Sequence, residues 1–357
     1  MSIKVFDFFS GCGGTSCGFE SAGFDIAFAL DSDPVAIATF QENFPRAHTQ
    51  VASIQDVHPR ILTPIVGERI EPILFCGCAP CQPFSKQNKN KKSDDPRRSL
   101  LLDFSKFVEH WLPEYVVVEN VPGMQKLKLL GPFDQFRTFL EKLGYKTAYD
   151  VIPACGFGVP QKRERLVLIA SIISDISLPE FSHDPSKGIA YSTVRDWISN
   201  LPTLAAGEVC EIDPDHQAAR LSETNIKRIK ATPEGGSRDS WPEYLWLNCH
   251  KEHSGHTDVY GRLHWDRPAS GLTTRCISLS NGRFGHPTQD RAISVREAAC
   301  LQTFPRNYKF KGSLQSKARQ IGNAVPPLMA QRVGEAIYSH FLASKTEHDS
   351  LGKITSP

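Results

Sequence analysis

The stretch IKVFDFFSGCGG, residues 3–14, predicts a buried strand, a tight turn and the opening of a helix. The apolar run Ile3–Phe9 has the length of a strand, and the helix is expected over Thr15–Ala22. Glycines between a strand and a helix let the backbone approach a ligand and leave the helix N-terminus open toward it. The turn matches neither the G-x-G-x-x-G fingerprint nor a Walker motif, so NAD and ATP fit less well. An ordinary tight turn stays an alternative.

Outward from this stretch, short apolar runs alternate with amphipathic segments as far as residue 171. The further predicted strands are Ile26–Leu30, Pro72–Gly77, Tyr115–Val118 and Arg165–Ser171. The further predicted helices are Val35–Phe44, Leu100–Trp111 and Phe133–Leu143, the last closed by Gly144. Such alternation predicts an α/β fold with a mainly parallel sheet and helices on both faces.

The second half of the chain has a different pattern. From about residue 172 to 285 it is rich in Pro, Gly, His, Trp and Asn and has weak periodicity, which indicates a small, loop-rich domain. Helical patterns return at Ser294–Leu301 and Pro327–Phe341, and the tail from Ser344 is polar and expected to fray.

Composition sets broad limits on the chain. It has 357 residues, 40% of them hydrophobic, and a formal net charge of +2, which neither demands nor excludes a polyanionic partner. No signal peptide and no long apolar run are found, so we expect no membrane association and a cytoplasmic location. The ten cysteines are therefore interpreted as free thiols.

The segment from Gly77 to Ser85 places a cysteine at the end of an apolar strand, where open α/β sheets bind ligands. Cys76, Cys78 and Cys81 could suggest a metal site, but no second C-x-x-C supplies the remaining ligands. A buried structural thiol is another possibility. Proline on both sides of Cys81-Gln82 favours a rigidly presented side chain instead.

Five segments carry a resemblance to a known family. They are Pro80-Cys81-Gln82, Glu119-Asn120-Val121, QKRER at 161–165, Arg267-Pro268 through Leu272-Thr273-Thr274, and GNAVPP at 322–327. In this order, over about residues 3–340, they resemble the motifs of the C5-cytosine DNA methyltransferase family, of the bacterial restriction–modification type. The resemblance implies a Rossmann-like, S-adenosylmethionine-dependent methyltransferase domain with an inserted, smaller, loop-rich target-recognition domain.

The resemblance also implies the catalytic residues. Carbon 5 of cytosine is a poor nucleophile until a thiolate adds to carbon 6, and Cys81 is the expected nucleophile. Glu119 would hydrogen-bond ring N3 and the exocyclic amine, while Arg163 and Arg165 would orient the base and balance charge. Taken singly, Glu119 could instead cap the next segment, and either arginine could be a surface residue.

S-adenosylmethionine is the implied cofactor, with Phe9 against the adenine and the Gly11–Gly14 turn behind the methionine part. Asp31, at the end of the second strand, would bind the ribose hydroxyls. Ser32 and Ser53 depart from residues common in relatives, which could soften affinity for the cofactor. The complete expected set is Phe9, Ser10, Gly11, Gly13, Gly14, Asp31, Ser32, Ser53, Ile54, Pro80, Leu100, Asn323 and Ala324.

Double-stranded DNA is the implied partner, and the target base must leave the helix before a thiolate can reach it. The loop after Cys81 is rich in lysine and arginine, so it either closes over phosphates or is a solvated charge run. The expected DNA contacts are Gln82, Ser85, Lys86, Lys89, Lys91, Arg97 and Thr273. Cys249, His250, His253 and His256 fit no common zinc finger, and no metal is expected.

The predicted organisation is a first catalytic and cofactor-binding segment at 1–174, a target-recognition domain at 175–287, a return segment at 288–343 and a polar tail at 344–357. A monomer is expected, and the resemblance admits a cognate restriction endonuclease that acts separately. An amino-group methylase would carry a D/N/S-P-P-Y motif and a tRNA-methylating relative a Cys-Phe-Thr signature, and both are absent. A non-catalytic homologue should have lost Cys81, Glu119 or the arginines.

Overall fold

The computed structural model describes residues 2–79, 100–124, 131–248 and 257–354. Contacts divide the chain into two units. Unit 1 comprises Met1–Pro153, Glu164–Glu180 and Pro327–Pro357, and unit 2 comprises Ala154–Arg163 and Phe181–Pro326. The predicted return segment 288–343 is therefore split, because its residues up to Pro326 group with unit 2.

Unit 1 contains a seven-stranded sheet in the order β3-β2-β1-β4-β5-β8-β6. The strands of this sheet are β1 Lys4–Phe8, β2 Asp25–Asp31, β3 His48–Val51, β4 Ile73–Gly77, β5 Tyr115–Asn120, β6 Lys146–Pro153 and β8 Glu164–Ser171. Strands β1 to β5 pair in parallel, whereas β8 is antiparallel to both β5 and β6. The predicted α/β class with a mainly parallel sheet is confirmed.

Helices cover both faces of this sheet. They are α1 Gly14–Ser21, α2 Pro34–Asn43, the short α3 Thr63–Val66, α4 Leu100–Trp111, α5 Pro132–Lys142 and the C-terminal helix α10 Pro327–Ile354. On one face Phe8 of β1 packs against Phe104 and Phe107 of α4, with ring centroids 5.1 and 4.8 Å apart. On the other face the Tyr115 hydroxyl lies 2.8 Å from Nδ1 of His340 in α10.

Helix α10 packs closely on α1 because two glycines allow it. A Cβ at Gly18 would overlap the Pro327 carbonyl, and one at Gly334 would lie 2.9 Å from the Cβ of Ala22. The helix extends to Ile354, beyond the predicted end at Phe341. The polar segment from Ser344, which was expected to fray, is helical as far as Ile354 and holds no helix-breaking residue before Gly352.

Two strands of the sheet were not predicted. Strands β3 and β6 are partly exposed, and neither shows the apolar run that marks a buried strand. Strand β6 lies at the sheet edge, where one ladder partner, β8, suffices.

Unit 2 has little regular structure in its described part. Its helices are α6 Val194–Ile198, α7 Glu223–Lys230, α8 Val295–Leu301 and α9 Leu314–Asn323, and its strands are β7 Gln161–Lys162 and β9 Ala269–Ser270, which pair in parallel. Helix α8 begins with a capping box formed by Ser294 and Glu297. Most of the remaining backbone forms turns and loops.

Candidate active site

The carboxyl ends of the parallel strands of unit 1 meet at one edge of the sheet. Strand β1 lies between β2 and β4, and the chain builds outward from it in both directions. In register, Phe8 pairs with Leu30 on one side and with Gly77 on the other. Such a reversal of strand order opens a crevice at the strand ends, where doubly wound folds bind their ligands.

The turn after β1 has the backbone conformation that its glycines permit. Gly11 and Gly13 have φ of 52° and 89°, and Phe9 also lies in the left-handed region at 61°. The strain at Phe9 holds a half-buried aromatic side chain at the strand end, where the sequence predicted an adenine contact. This arrangement makes room for a ligand beside the backbone of the turn.

Asp31 fixes the turn from the end of β2. Its carboxylate accepts hydrogen bonds from the backbone N–H of Gly11 and of Asp33, both at 2.8 Å. Burial raises the pKa of this carboxyl group, and the two backbone donors oppose that effect. A carboxylate has about four acceptor positions, so it can still receive ribose hydroxyls.

The N-terminus of α1 faces the same turn. Its N-cap is Gly13, no side chain caps it, and its first turn holds no acidic residue. The backbone N–H groups there favour an anionic ligand group. Nearby, the Ser10 hydroxyl is buried and has no hydrogen-bond partner among the described residues.

The remaining predicted cofactor residues of unit 1 lie on neighbouring elements. Ser53 follows β3 and accepts a hydrogen bond from the Gln55 backbone N–H at 3.4 Å. Ile54 and Leu100 are buried in the same apolar cluster as Phe8, whereas Ser32 is exposed. Ala52 donates its N–H to the Asp31 carbonyl at 3.0 Å, which keeps Ser53 beside the Asp31 strand end.

On the other side of β1, the structure brings Glu119 and Arg165 together as an ion pair. Nε of Arg165 lies 2.5 Å from Oε1 of Glu119, and both side chains are about 15% exposed or less. Antiparallel register explains the contact: Glu119 pairs with Val167, and Arg165 projects from the same face two residues away. A carboxylate held in this way is positioned and partly accessible at the end of β5.

Asn120 lies beside the Glu119–Arg165 pair and was not among the predicted site residues. Its side-chain amide donates to the Ala79 carbonyl at 3.2 Å, and its oxygen accepts from the Val121 N–H at 2.9 Å. Ala79 is the last described residue before Pro80-Cys81, so Asn120 tethers the chain that leads to the predicted nucleophile. The sequence offered one indication of this role, because Asn120 stands next to Glu119 in the Glu119-Asn120-Val121 motif.

The thiols on this side of the sheet are held in the protonated form. Burial raises the pKa of Cys78 well above its usual value, and the Glu119 charge raises it further. Burial does the same for Cys76, followed by the charge of Asp7. Asp7 itself is fully buried, accepts from the Ser16 hydroxyl at 2.6 Å and has a pKa raised by burial to about 7.

Arg163 of unit 2 is buried and binds backbone. Its guanidinium donates to the carbonyls of Leu272 at 2.9 Å and of Gly322 at 3.1 Å. It thus joins three of the resembling motifs within unit 2. Gln161 strengthens the same junction, because its side chain donates to Leu301 and accepts from the Leu272 N–H. Sequence reasoning missed Gln161, and its polar type gave no signal of burial.

Thr273, Asn323 and Ala324 lie close to this junction. The Thr273 hydroxyl accepts from the Arg275 N–H at 3.3 Å, and its carbonyl would overlap any side chain at Gly322. Asn323 is exposed at the end of α9, and the Ala324 carbonyl accepts from Gln302 at 2.5 Å. Gly322 is therefore required for close packing.

Several predicted residues lie outside the described residues. They are Pro80, Cys81, Gln82, Ser85, Lys86, Lys89, Lys91 and Arg97, together with the segment from Cys249 to His256. Among the described residues no group of three or more His, Cys, Asp or Glu side chains could hold a metal ion. None of the described helices is long and apolar enough to cross a bilayer.

Fold and site together define an α/β protein with a glycine turn and an uncapped helix N-terminus at the switch point of its sheet and a Glu–Arg pair at the end of β5. The profile of the C-5 cytosine-specific DNA methylase family matches residues 3–339, so the chain belongs to that family and is a DNA (cytosine-5)-methyltransferase.

Individual relatives agree with this assignment. Type II methylase M.HgiDII of Herpetosiphon aurantiacus is 40% identical over 343 residues, covering 94% of this chain and 95% of the relative. Type II methyltransferase M1.HphI of Haemophilus parahaemolyticus is 34% identical, covering 94% and 87%. A crystal structure of a candidate prophage-encoded DNA modification methyltransferase of E. coli has a TM-score of 0.75 at 24% identity, covering 95% and 99%. The predicted Rossmann-like fold is confirmed.

Proposed function

We propose that the chain methylates carbon 5 of a specific cytosine in double-stranded DNA, with Cys81 as covalent nucleophile and S-adenosylmethionine as methyl donor. The Glu119–Arg165 ion pair carries the proposal, because it holds a carboxylate at the end of β5. The adjacent Asn120 tethers Ala79, two residues before Cys81. Two consecutive residues therefore position both parts of the site. Glu119 supplies the carboxylate for the cytosine ring, and Asn120 holds the backbone that leads to Cys81.

The cytosine ring needs both groups. The target base is flipped out of the duplex, and the Cys81 thiolate forms a bond to carbon 6 that makes carbon 5 an enamine carbon. Glu119 contacts N3 and the exocyclic amine, where charge changes as the bond forms. Arg165 keeps the carboxylate in place. After carbon 5 is methylated, its proton leaves and the sulfur–carbon bond breaks, which restores the ring and frees Cys81.

The residues of unit 1 fit S-adenosylmethionine. When bound, it supplies an electrophilic methyl group on a sulfonium. Asp31 has acceptor positions left for ribose hydroxyls, and the uncapped N-terminus of α1 suits the carboxylate of the methionine part. The buried Ser10 hydroxyl is a polar atom that a ligand could satisfy. Phe9 offers an aromatic side chain for the adenine.

Unit 2 is the proposed reader of the DNA sequence, since loops there can present side chains to base edges in the major groove. The Type II relatives favour a restriction–modification role. We further propose a bacterial cytoplasmic location, a separate cognate nuclease and a monomeric methylase. Exchange of the predicted domain 175–287 with that of a relative should move the methylated site. An active hybrid that keeps its original site would place recognition elsewhere.

Trapping on 5-fluorocytosine tests the covalent step. Fluorine cannot leave carbon 5 as a cation, so the reaction stops before the sulfur–carbon bond breaks. Duplex DNA with this base at the target, mixed with protein and S-adenosylmethionine, should give a complex that survives denaturing electrophoresis. Cys81→Ala should abolish the complex.

Cys78→Ala is the matched control, because desolvation and the Glu119 charge raise the pKa of its thiol and keep it protonated. It should retain the trapped complex. Glu119→Gln should slow trapping by about 10²–10³-fold, the usual cost of removing one such stabilising group. Methylation without any trapped complex would contradict the Cys81 mechanism. If Cys78→Ala loses the trapped complex and Cys81→Ala retains it, the nucleophile is Cys78 and not Cys81.

A further inference from the structure

Unit 2 carries a surface cavity of about 440 Å³ beside the QKRER motif. We name it the Lys162 pocket. Its lining includes Lys162, Asp258, His264, Arg267, Ser270 and Arg283. All lie within unit 2, and none belongs to the Glu119–Arg165 site.

The short β7–β9 pairing builds one wall of the pocket. Lys162 pairs with Ser270 in register, next to the pair formed by Gln161 and Ala269. Side chains alternate along a strand, so the buried Gln161 is followed by an exposed Lys162 and a buried Arg163. The buried side chains of Gln161 and Arg163 therefore fix the backbone from which Lys162 projects.

Three glycines shape the lining. A Cβ at Gly235 would overlap the imidazole of His264, and one at Gly261 would lie 2.9 Å from Nη1 of Arg283. A Cβ at Gly271 would lie 2.9 Å from the Lys162 carbonyl. The backbone thus closes tightly around the lining residues, as expected of a formed cavity.

The pocket has an excess of positive charge. Arg283 is neutralised, since its Nε contacts Asp258 at 2.9 Å and its Nη1 donates to backbone carbonyls including Gly235 at 2.7 Å. Lys162 and Arg267 contact no carboxylate within the described part of the chain. Burial lowers the pKa of the His264 imidazole, and the Arg267 and Arg283 charges lower it further. Two cationic groups are therefore left uncompensated.

We propose that the Lys162 pocket binds one backbone phosphate of the DNA substrate, with Lys162 and Arg267 as its cationic contacts. The inference rests on the proposed function, because that function makes duplex DNA the polyanion that the chain must hold. Lysine and arginine are the usual phosphate ligands, and the Ser270 hydroxyl can donate to the same group. A pocket of this kind sets DNA register and carries no base specificity.

The inference is tested with DNA duplexes in which one backbone phosphate at a time is replaced by an uncharged linkage. Duplexes that carry a single methylphosphonate at successive positions around the target cytosine are compared for binding to the wild-type chain and to Arg267→Gln and Lys162→Gln. One linkage should weaken wild-type binding and have a smaller effect on either variant, because each variant keeps one of the two cationic contacts. The slope of log affinity against log salt should shrink in each variant, by up to about 0.9, the contribution of one phosphate.

Arg195→Gln is the matched control. It removes the same charge from unit 2, but Arg195 is already paired with Asp266 at 2.6 and 3.0 Å. Its salt slope should match the wild type. If all three variants lose slope equally, the effect is one of net charge and the pocket inference is overturned.

Three further outcomes separate the hypotheses. In the first, the wild-type chain forms the trapped 5-fluorocytosine complex, but the variants keep the wild-type salt slope and linkage profile. This result overturns the inference that the Lys162 pocket binds a phosphate and leaves the proposed function standing. A chain that neither binds duplex nor forms the complex overturns both. Stabilisation by inorganic phosphate at constant ionic strength, without any linkage effect, would assign the pocket to a free anion and so overturn the DNA contact.

Discussion

The two units differ in the type of side chain that they bury. Unit 1 packs phenylalanine on its sheet: Phe8 alone contacts four other rings, with centroids 4.8–6.0 Å apart. Unit 2 buries arginine instead. The described arginines that are less than 10% exposed all belong to unit 2, and they are Arg163, Arg228, Arg238, Arg262, Arg291 and Arg296.

Arg262 shows what these side chains do. Its guanidinium donates to four backbone carbonyls, those of Ile229, Thr232, His286 and Gln289, at 2.5–2.9 Å, and it pairs with Asp290 at 2.5 Å. Guanidinium has five N–H donors, and all five are used.

The difference follows from backbone hydrogen bonding. Buried carbonyls need donors, and the strands of unit 1 supply them to one another. Unit 2 has few strands, so side chains must supply the donors, and arginine supplies the most per residue. A loop-built unit can therefore be rigid without a sheet, but its stability depends on buried charge.

The largest expected effect is on stability, from Arg262→Met. It leaves four carbonyls and a carboxylate without their donor, and we expect a loss of about 3–5 kcal/mol in the free energy of unfolding. Urea unfolding followed by tryptophan fluorescence should report it, since four of the five tryptophans lie in unit 2. The exposed Arg195→Met should leave the free energy of unfolding nearly unchanged, because water screens its ion pair with Asp266. Equal costs would break the comparison.

Asp7 gives unit 1 a pH dependence. Its pKa is raised by burial from 3.8 to about 7, so the folded state binds a proton that the unfolded state releases. This contribution to stability is complete below pH 3.8 and is lost as the pH rises through about 7, by on the order of 4 kcal/mol.

Asp7→Asn should remove this loss, because the amide oxygen can still accept from Ser16. Unfolding free energies of both proteins between pH 4 and about 9 measure the difference. If the unfolding free energies of the two proteins change with pH in parallel, Asp7 does not titrate in this range.

His286 gives unit 2 the opposite dependence. Burial lowers its pKa from 6.5 to about 4, although Glu297 lies 3.6 Å away and opposes the shift. Stability from the neutral ring is complete above pH 6.5 and is lost as the pH falls through about 4, by on the order of 3 kcal/mol. His286→Gln should flatten the acid side of the stability curve, and an unchanged acid side would refute this assignment.

The smallest expected effect is on turnover, from Asn120→Ala. The variant loses the hydrogen bond to Ala79, which we estimate at about 1.4 kcal/mol, or roughly tenfold in kcat. Binding of the methyl donor should be unchanged, because Asp31 and α1 are untouched. A tenfold change in donor affinity with normal kcat would show that Asn120 acts on the crevice instead.

The sequence by itself determined the alternation of strands and helices and the glycine turn. Helix α4, for example, has the predicted bounds Leu100–Trp111, because an amphipathic pattern is written locally in the chain. The ordered motifs also indicated the family, since each is a short segment with its own chemistry. Edge strand β6 was not predicted, because only Ile152 of its residues is buried and the strand therefore has no apolar run.

Only the tertiary structure decided which distant groups meet. Glu119 and Arg165 are brought together by antiparallel register, and Arg163 turns inward to hold Leu272 and Gly322. The Lys162 pocket likewise joins residues from three separate segments. A local pattern records whether a residue prefers water or the core, but partners far apart in sequence are chosen by packing and by the need to satisfy each buried polar group.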